Sequence, residues 1–184
     1  PAGPPPGGPG EETTRGRGGV GRPGECPPQL EGFAGPAAEP GEVVGGTGAT
    51  EVFTDGACRG NPGPGGWAWA VEGGAQASGH DPATTNQRME IQAALEAVRA
   101  LQGPLVVVSD STYVVNCFGD RWWAGWLQRG WTNSARQPVA NRDLWEPFVE
   151  EVNARGDVAF RWVKGHSGNR MNDLVDRLAV QAAK

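Results

Sequence analysis

Residues 52–66 read VFTDGACRGNPGPGG, and the fold turns on what its glycines do. Gly63, Gly65 and Ala68 formally match the G-x-G-x-x-A dinucleotide fingerprint. That fingerprint has to open a helix, because the pyrophosphate rests on a helix N-terminus. The residues that follow, GWAWAV (66–71), alternate with a period of two and therefore predict a strand. No Gly-Lys-Ser/Thr follows either, so the stretch is not a P-loop. It is a tight turn between antiparallel strands, the first being EVFTDGA (51–57). That strand places an acid, Asp55, where its pattern asks for an apolar residue.

Outward from this hairpin, GAQASG (74–79) predicts a third, weaker strand and so a three-strand meander. TTNQRMEIQAALEAVRAL (84–101) carries apolar residues at Met89, Ala93, Ala94, Ala97, Val98 and Leu101, an amphipathic helix capped by Thr84 or Thr85 and stopped by Gly103-Pro104. LVVVSD (105–110) is a continuous apolar run, as in a strand covered on both faces. A short helix at STYVVNCF (111–118), a Trp-rich segment 121–135 that begins helically, and a helix over 141–154 with Asn141 or Asp143 at its cap come next. A strand at 157–165 and an amphipathic helix at 171–184 complete the order β-β-β-α-β-α-α-α-β-α. The expected class is α/β, a mixed five-stranded sheet with helices packed on it.

Of the first 48 residues, 25 are Gly or Pro, with no apolar period. Such a segment cannot bury enough apolar surface to offset its chain entropy, so residues 1–49 are expected to be a disordered tail and 50–184 the folded domain. Arg15, Arg17 and Arg22 lie in that tail among glycines. The chain opens on Pro1, as a trimmed piece would, and shows no basic-then-apolar secretory pattern. Three cysteines without C-x-x-C exclude a disulfide framework or zinc site and point to a reducing cytoplasm. The net charge of −5 argues against a nucleic-acid partner until it is divided. Residues 121–142 hold Arg121, Arg129, Arg136 and Arg142 and no acid.

Asp55 and Asp110 both end apolar strands. Carboxylates at the carboxyl ends of neighbouring strands point into one crevice, the usual site of such sheets. Read singly, Asp110 serves equally well as a helix cap. Glu90 lies on the apolar stripe of the first long helix and, if buried, needs a cation; no nearby Lys or Arg is an obvious one, since Arg88 is too close in sequence to share its face squarely. On the last helix Asp173 and Asp176 are alternatives: either, or neither, faces the crevice. Converging carboxylates repel unless cations neutralise them, and all-oxygen ligation favours Mg²⁺ or Mn²⁺. His80 has no motif around it and reads as a surface residue; His166 lies in a Gly-flanked loop, WVKGHSGN.

TDGACRGNPGPGGW, TTNQRMEIQAAL, VVVSDSTYV and WVKGHSGNRMNDLVDRLA, in this order, resemble the motif set of type 1 ribonuclease H over residues 50–184. The resemblance implies a ribonuclease H-like fold and metal-binding acids at Asp55, Glu90, Asp110 and Asp176, the last chosen because the family's fourth acid follows the loop His by ten positions. It implies that His166 assists proton transfer or product release. It implies RNA contacts at Cys58, Asn61, Asn86 and Gln87, a DNA-phosphate pocket at Thr85 and Asn141, and a DNA-strand channel at Trp122, Trp126 and Ser134.

The activity so implied is endonucleolytic cleavage of the RNA strand of RNA–DNA hybrids by two Mg²⁺ ions, Mn²⁺ substituting, to leave 5′-phosphate and 3′-hydroxyl ends. The expected molecule is a cytoplasmic monomer without a small-molecule cofactor or a membrane partner. The sequence departs from the family in its handle, where scattered arginines and Leu127-Gln128 replace packed lysines, so weaker hybrid binding is expected. A non-catalytic hybrid-binding module and another metal nuclease of the same fold are the alternatives. For each tryptophan, ordinary core packing competes with substrate contact.

Overall fold

The computed structural model describes residues 48–184. The expectation of a disordered tail falls outside the described residues but for 48 and 49, which carry no regular structure. The elements are β1 (Thr50–Cys58), β2 (Gly63–Val71), β3 (Gln76–Thr84), α1 (Asn86–Ala100), β4 (Leu105–Ser109), α2 (Thr112–Gly119), α3 (Trp122–Gln128), α4 (Arg142–Arg155), β5 (Val158–Trp162) and α5 (Arg170–Ala182). They form one five-stranded sheet in the order β3-β2-β1-β4-β5. β1 and β2, and β2 and β3, run antiparallel, whereas β1 with β4 and β4 with β5 are parallel. The expected mixed sheet is the observed one.

Register places the acids. In the central pair of strands Thr54 stands opposite Ser109. Asp55 and Asp110 are the residues that follow these two, so they emerge together at the carboxyl edge of adjacent parallel strands.

The central strands β1 and β4 are apolar on both faces because helices cover both. Val52, Leu105 and Val107 belong to a core closed by residues of α1, α2, α3 and α4, including Ile91, Leu95, Trp145 and Phe148. Phe53, Val108, Ala68 and Ala70 face the other way, against Met171, Val175 and Ala179 of α5. Among the described residues no helix is long and apolar enough to cross a membrane.

The glycines of the opening motif are consumed by this packing. A Cβ on Gly56 would lie 2.3 Å from the carbonyl carbon of Met89 and 2.4 Å from the backbone nitrogen of Glu90. A Cβ on Gly66 would lie 2.3 Å from the Ala179 carbonyl oxygen in α5. Gly63 and Gly65 already belong to β2, and the turn is confined to residues 59–62. The fingerprint match is thus strand, as its alternation predicts.

Several boundaries differ from expectation, among them β5, which runs over Val158–Trp162 and not 157–165. β3 runs over Gln76–Thr84, not 74–79, through Gly79 and Pro82, which read locally as breakers. β3 is an edge strand, where a proline is tolerated. Gly79 has a tertiary purpose, since a Cβ there would meet the Trp67 indole at 2.4 Å. α1 ends at Ala100, and its last carbonyls are capped from α4: Arg155 donates to the carbonyls of Val98, Leu101 and Gly103 at 2.6, 2.7 and 2.5 Å.

Candidate active site

Thr85 rather than Thr84 starts α1, its hydroxyl accepting from the Arg88 N–H at 3.3 Å. Five residues on, Glu90 is carried to the carboxyl edge of β1, and the missing side chain of Gly56 is what allows helix and strand to come so near. Asp55, Glu90 and Asp110 each offer a carboxylate oxygen within 4.8 Å of the others. Asp55 is buried, and the other two are half-buried.

Each acid is held by its neighbours. Asp55 Oδ1 accepts from the N–H of Gly56 at 2.8 Å. Glu90 Oε2 accepts from the hydroxyl of Ser111 at 2.7 Å. The same hydroxyl caps α2 by accepting from the Val114 N–H at 3.3 Å, so one serine starts a helix and orients an acid. Asp110 Oδ2 accepts from Asn172 Nδ2 at 3.5 Å, from the buried first turn of α5.

The electrostatics follow from burial and from like charge. Desolvation first, then the Asp110 carboxylate, push Asp55 up to about 8; Asp176 and Glu90 add to this and the Gly56 N–H opposes it. Glu90 is raised by its burial and by Asp110, against the stabilising Ser111 hydrogen bond. Three carboxylates at this spacing, two with displaced titrations, form an oxygen-rich site that a hard cation would neutralise.

Of the two acids left open on the last helix, Asp176 is the one whose charge reaches Asp55. It is not among the three whose oxygens lie within 4.8 Å of one another. His166 is exposed and adopts a left-handed backbone, φ 53°. The residue before it, Gly165, comes so close that a Cβ there would lie 2.7 Å from Asp110 Oδ2. The His166 loop therefore touches the acid cluster.

Cys58, Asn61, Thr85, Asn86 and Gln87 collect at the β1–β2 turn and the start of α1. Cys58 Sγ donates toward the carbonyls of Gly63 and Thr84, both at 3.4 Å, and Asn61 Oδ1 accepts from the Asn86 N–H at 3.1 Å. The side chains of Asn86 and Gln87 belong to exposed residues. Arg88 does not neutralise Glu90: it pairs with Asp143 at 2.7 Å and donates to Asn141 Oδ1 at 3.4 Å. The reason is helical geometry, since Arg88 points from α1 toward α4 while Glu90, two residues on, points to the sheet edge. Arg88 thus bridges Thr85 and Asn141, a link the sequence does not display. Asn141 stands at the N-cap position of α4 without a capping hydrogen bond, because its side chain reaches Arg88 and the Tyr113 hydroxyl instead.

In the handle, Trp126 is buried in the core against Trp131 and Trp145. Trp122 is half-buried with an indole N–H that finds no acceptor. Both line a cavity of ≈ 190 Å³ with Tyr113, Asn133, Val139 and Ala140. Ser134 is exposed. Core packing thus accounts for most of Trp126, whereas Trp122 keeps a donor to offer.

The sequence reading missed Gly56, Ser111, Gly165 and Trp162 as neighbours of the acids. Only Ser111 carried a local signal, a capping residue directly after Asp110.

Residues 47–184 match the family model for RNase H. Ribonuclease H of Erythrobacter litoralis is 48% identical over 138 residues, spanning 72% of this chain and 94% of the relative. Ribonuclease H of Chlorobium luteolum is 50% identical over 136 residues, spanning 71% and 92%. Among solved structures, LC9-RNase H1, described as a type 1 RNase H with the type 2 active-site motif, is 36% identical with a TM-score of 0.61, over 73% of this chain and 72% of that one. With this sheet order, this cluster of acids and these relatives, the chain belongs to the ribonuclease H family, type 1.

Proposed function

We propose that this chain is a divalent-metal-dependent endonuclease that hydrolyses the RNA strand of RNA–DNA hybrids, leaving 5′-phosphate and 3′-hydroxyl ends. The observation that carries the reading is the approach of Asp55, Glu90 and Asp110 oxygens to within 4.8 Å, with Asp55 buried. Binding alone gains nothing from crowding like charges, which disfavours a non-catalytic hybrid-binding module.

The donor set is all carboxylate, which suits Mg²⁺, with Mn²⁺ as a substitute. Asp55, Glu90 and Asp110 would hold one ion, and Asp55 with Asp176 a second. Such ions supply Lewis-acid chemistry, activating the attacking water and neutralising charge on the leaving 3′-oxygen. The chain's own residues provide the rest. Gly56 and Ser111 aim the carboxylates of Asp55 and Glu90. Cys58, Asn61, Asn86 and Gln87 meet the RNA strand at its 2′-hydroxyl face, where RNA is told from DNA. Thr85 and Asn141 hold a phosphate of the DNA strand, and Trp122, Trp126 and Ser134 guide that strand. His166, on its exposed loop, moves a proton or helps product leave. The working form is a cytoplasmic monomer with a hybrid duplex as its partner.

The test uses labelled RNA–DNA hybrid, double-stranded DNA and double-stranded RNA, each with Mg²⁺ and with chelator. Loss of only the RNA strand, only in the hybrid and only with metal, is expected. Binding without cleavage in Mg²⁺ or Mn²⁺ would sink the reading, and cleavage of double-stranded DNA would favour another nuclease of the same fold.

A further inference from the structure

Trp162, the last residue of β5, stands opposite Ser109 in the parallel register of β4 and β5. The strand ladder closes just there, with the Val163 N–H donating to the Ser109 carbonyl at 3.0 Å. Asp110 lies one residue beyond, in a bend before α2, so neither ladder nor helix holds its carbonyl. That carbonyl accepts from the indole N–H of Trp162 at 3.0 Å. The indole itself is poorly buried, with Trp162 49% exposed. About half of the indole is covered, so burial accounts for part of its placement, while the bond to Asp110 fixes the direction of the ring N–H.

We propose that Trp162 is a positioning residue for the cation site: it fixes the main chain of Asp110 and so keeps that carboxylate in register with Asp55 and Glu90. The carboxylate is confined on two other sides. Asn172 Nδ2 lies 3.5 Å from Oδ2, and Gly165 leaves no room for a Cβ, which would come within 2.7 Å of the same oxygen. These contacts limit where the carboxylate can swing, while the indole sets the point from which it swings. Changing an outer partner that orients a ligand typically costs roughly 10–100-fold in metal affinity. The inference rests on the reading of Asp55, Glu90 and Asp110 as the cation-holding set.

The test is calorimetric titration of Mn²⁺ into the full chain, beside kcat and KM for hybrid and a circular-dichroism melt. Trp162→Phe keeps a ring and loses the donor. Trp162→His restores a ring N–H two bonds from Cγ, where the indole carries its own. Trp162→Phe is expected to weaken Mn²⁺ binding roughly tenfold or more, to raise the half-saturating metal concentration alike, and to leave KM for hybrid unchanged. Trp162→His is expected to recover part of the loss. Wild-type Mn²⁺ affinity in Trp162→Phe, equal defects in Trp162→Phe and Trp162→His, or loss of the fold in Trp162→Phe would each overturn the proposal. Asp110→Asn is the control for the underlying reading. If it still binds Mn²⁺ and cleaves normally, the site assignment fails. If it is inert while Trp162→Phe behaves as wild type, only the role of Trp162 fails.

Discussion

Asp55 is an acid at a core position, and its cost is visible. Burial and the Asp110 charge push it up to about 8, from an unfolded value near 4. A group whose folded pKa is raised contributes stability that is present below the unfolded value and lost as pH rises through the folded one. The metal-free protein should therefore lose stability between about pH 4 and about pH 8, and Mg²⁺ should restore more of it at pH 8 than at pH 6. Melting curves with and without Mg²⁺ at the two pH values check this; a metal effect that shrinks as pH rises would contradict it. Asp55→Asn removes the acid whose titration disfavours the fold above about pH 4, so at neutral pH the metal-free variant should melt a few degrees higher, while cleavage falls by roughly a thousandfold or more. Wild-type turnover in Asp55→Asn would refute the metal assignment. The misplaced acid was legible in the sequence because a charged residue ends a short apolar strand where the pattern asks for an apolar one. Its partners were not: Ser111 on Glu90 and Asn172 on Asp110 are contacts across 21 and 62 positions, fixed by register and helix rotation.

Elements bring these residues together, and their legibility follows the same division between local and long-range. The alternation of β2, the apolar run of β4 and the stripe of α1 are local patterns, and each element appeared where its pattern lay. β3 was misjudged because Gly79 makes room for Trp67, which a local window does not contain, and because Pro82 is tolerated only by virtue of the edge position of β3. Two element junctions separate folding from function. Arg155 caps α1 far from the acids, so Arg155→Ala should cost roughly 2–3 kcal/mol by leaving carbonyls without their charged donor, with turnover per folded molecule unchanged. Ser111 joins α2 to Glu90. Ser111→Ala should cost about 1 kcal/mol for the cap and, unlike Arg155→Ala, should also lower kcat. Urea unfolding paired with steady-state kinetics distinguishes the two. Equal kcat in Ser111→Ala and wild type would reduce the serine to a cap.

At the scale of the whole molecule, a chain of net charge −5 has to hold a polyanion. The proposed means is the basic segment 121–142, whose charges are partly engaged already. Arg142 pairs with Glu146 at 2.8 Å and lies over Trp131, and Arg129 Nε donates to the Thr132 carbonyl at 3.1 Å. Arg136 is exposed in the loop between α3 and α4, with its backbone held left-handed at φ 61°. The salt slope of binding scales with the phosphates neutralised, at roughly −0.9 per contact for a B-form duplex. Four arginines at most therefore limit the contribution of this segment to a slope of about −3.6, and internal pairing makes it shallower. Arg136→Gln should weaken hybrid binding at low salt, flatten the plot of log Kd against log salt by about one, and leave kcat at saturating hybrid unchanged. Binding isotherms across a salt series on a catalytically inactive Asp110→Asn background measure that slope without cleavage. An unchanged slope would remove this face from the substrate path and leave the β1–β2 turn and the Thr85–Asn141 pocket to hold the duplex alone.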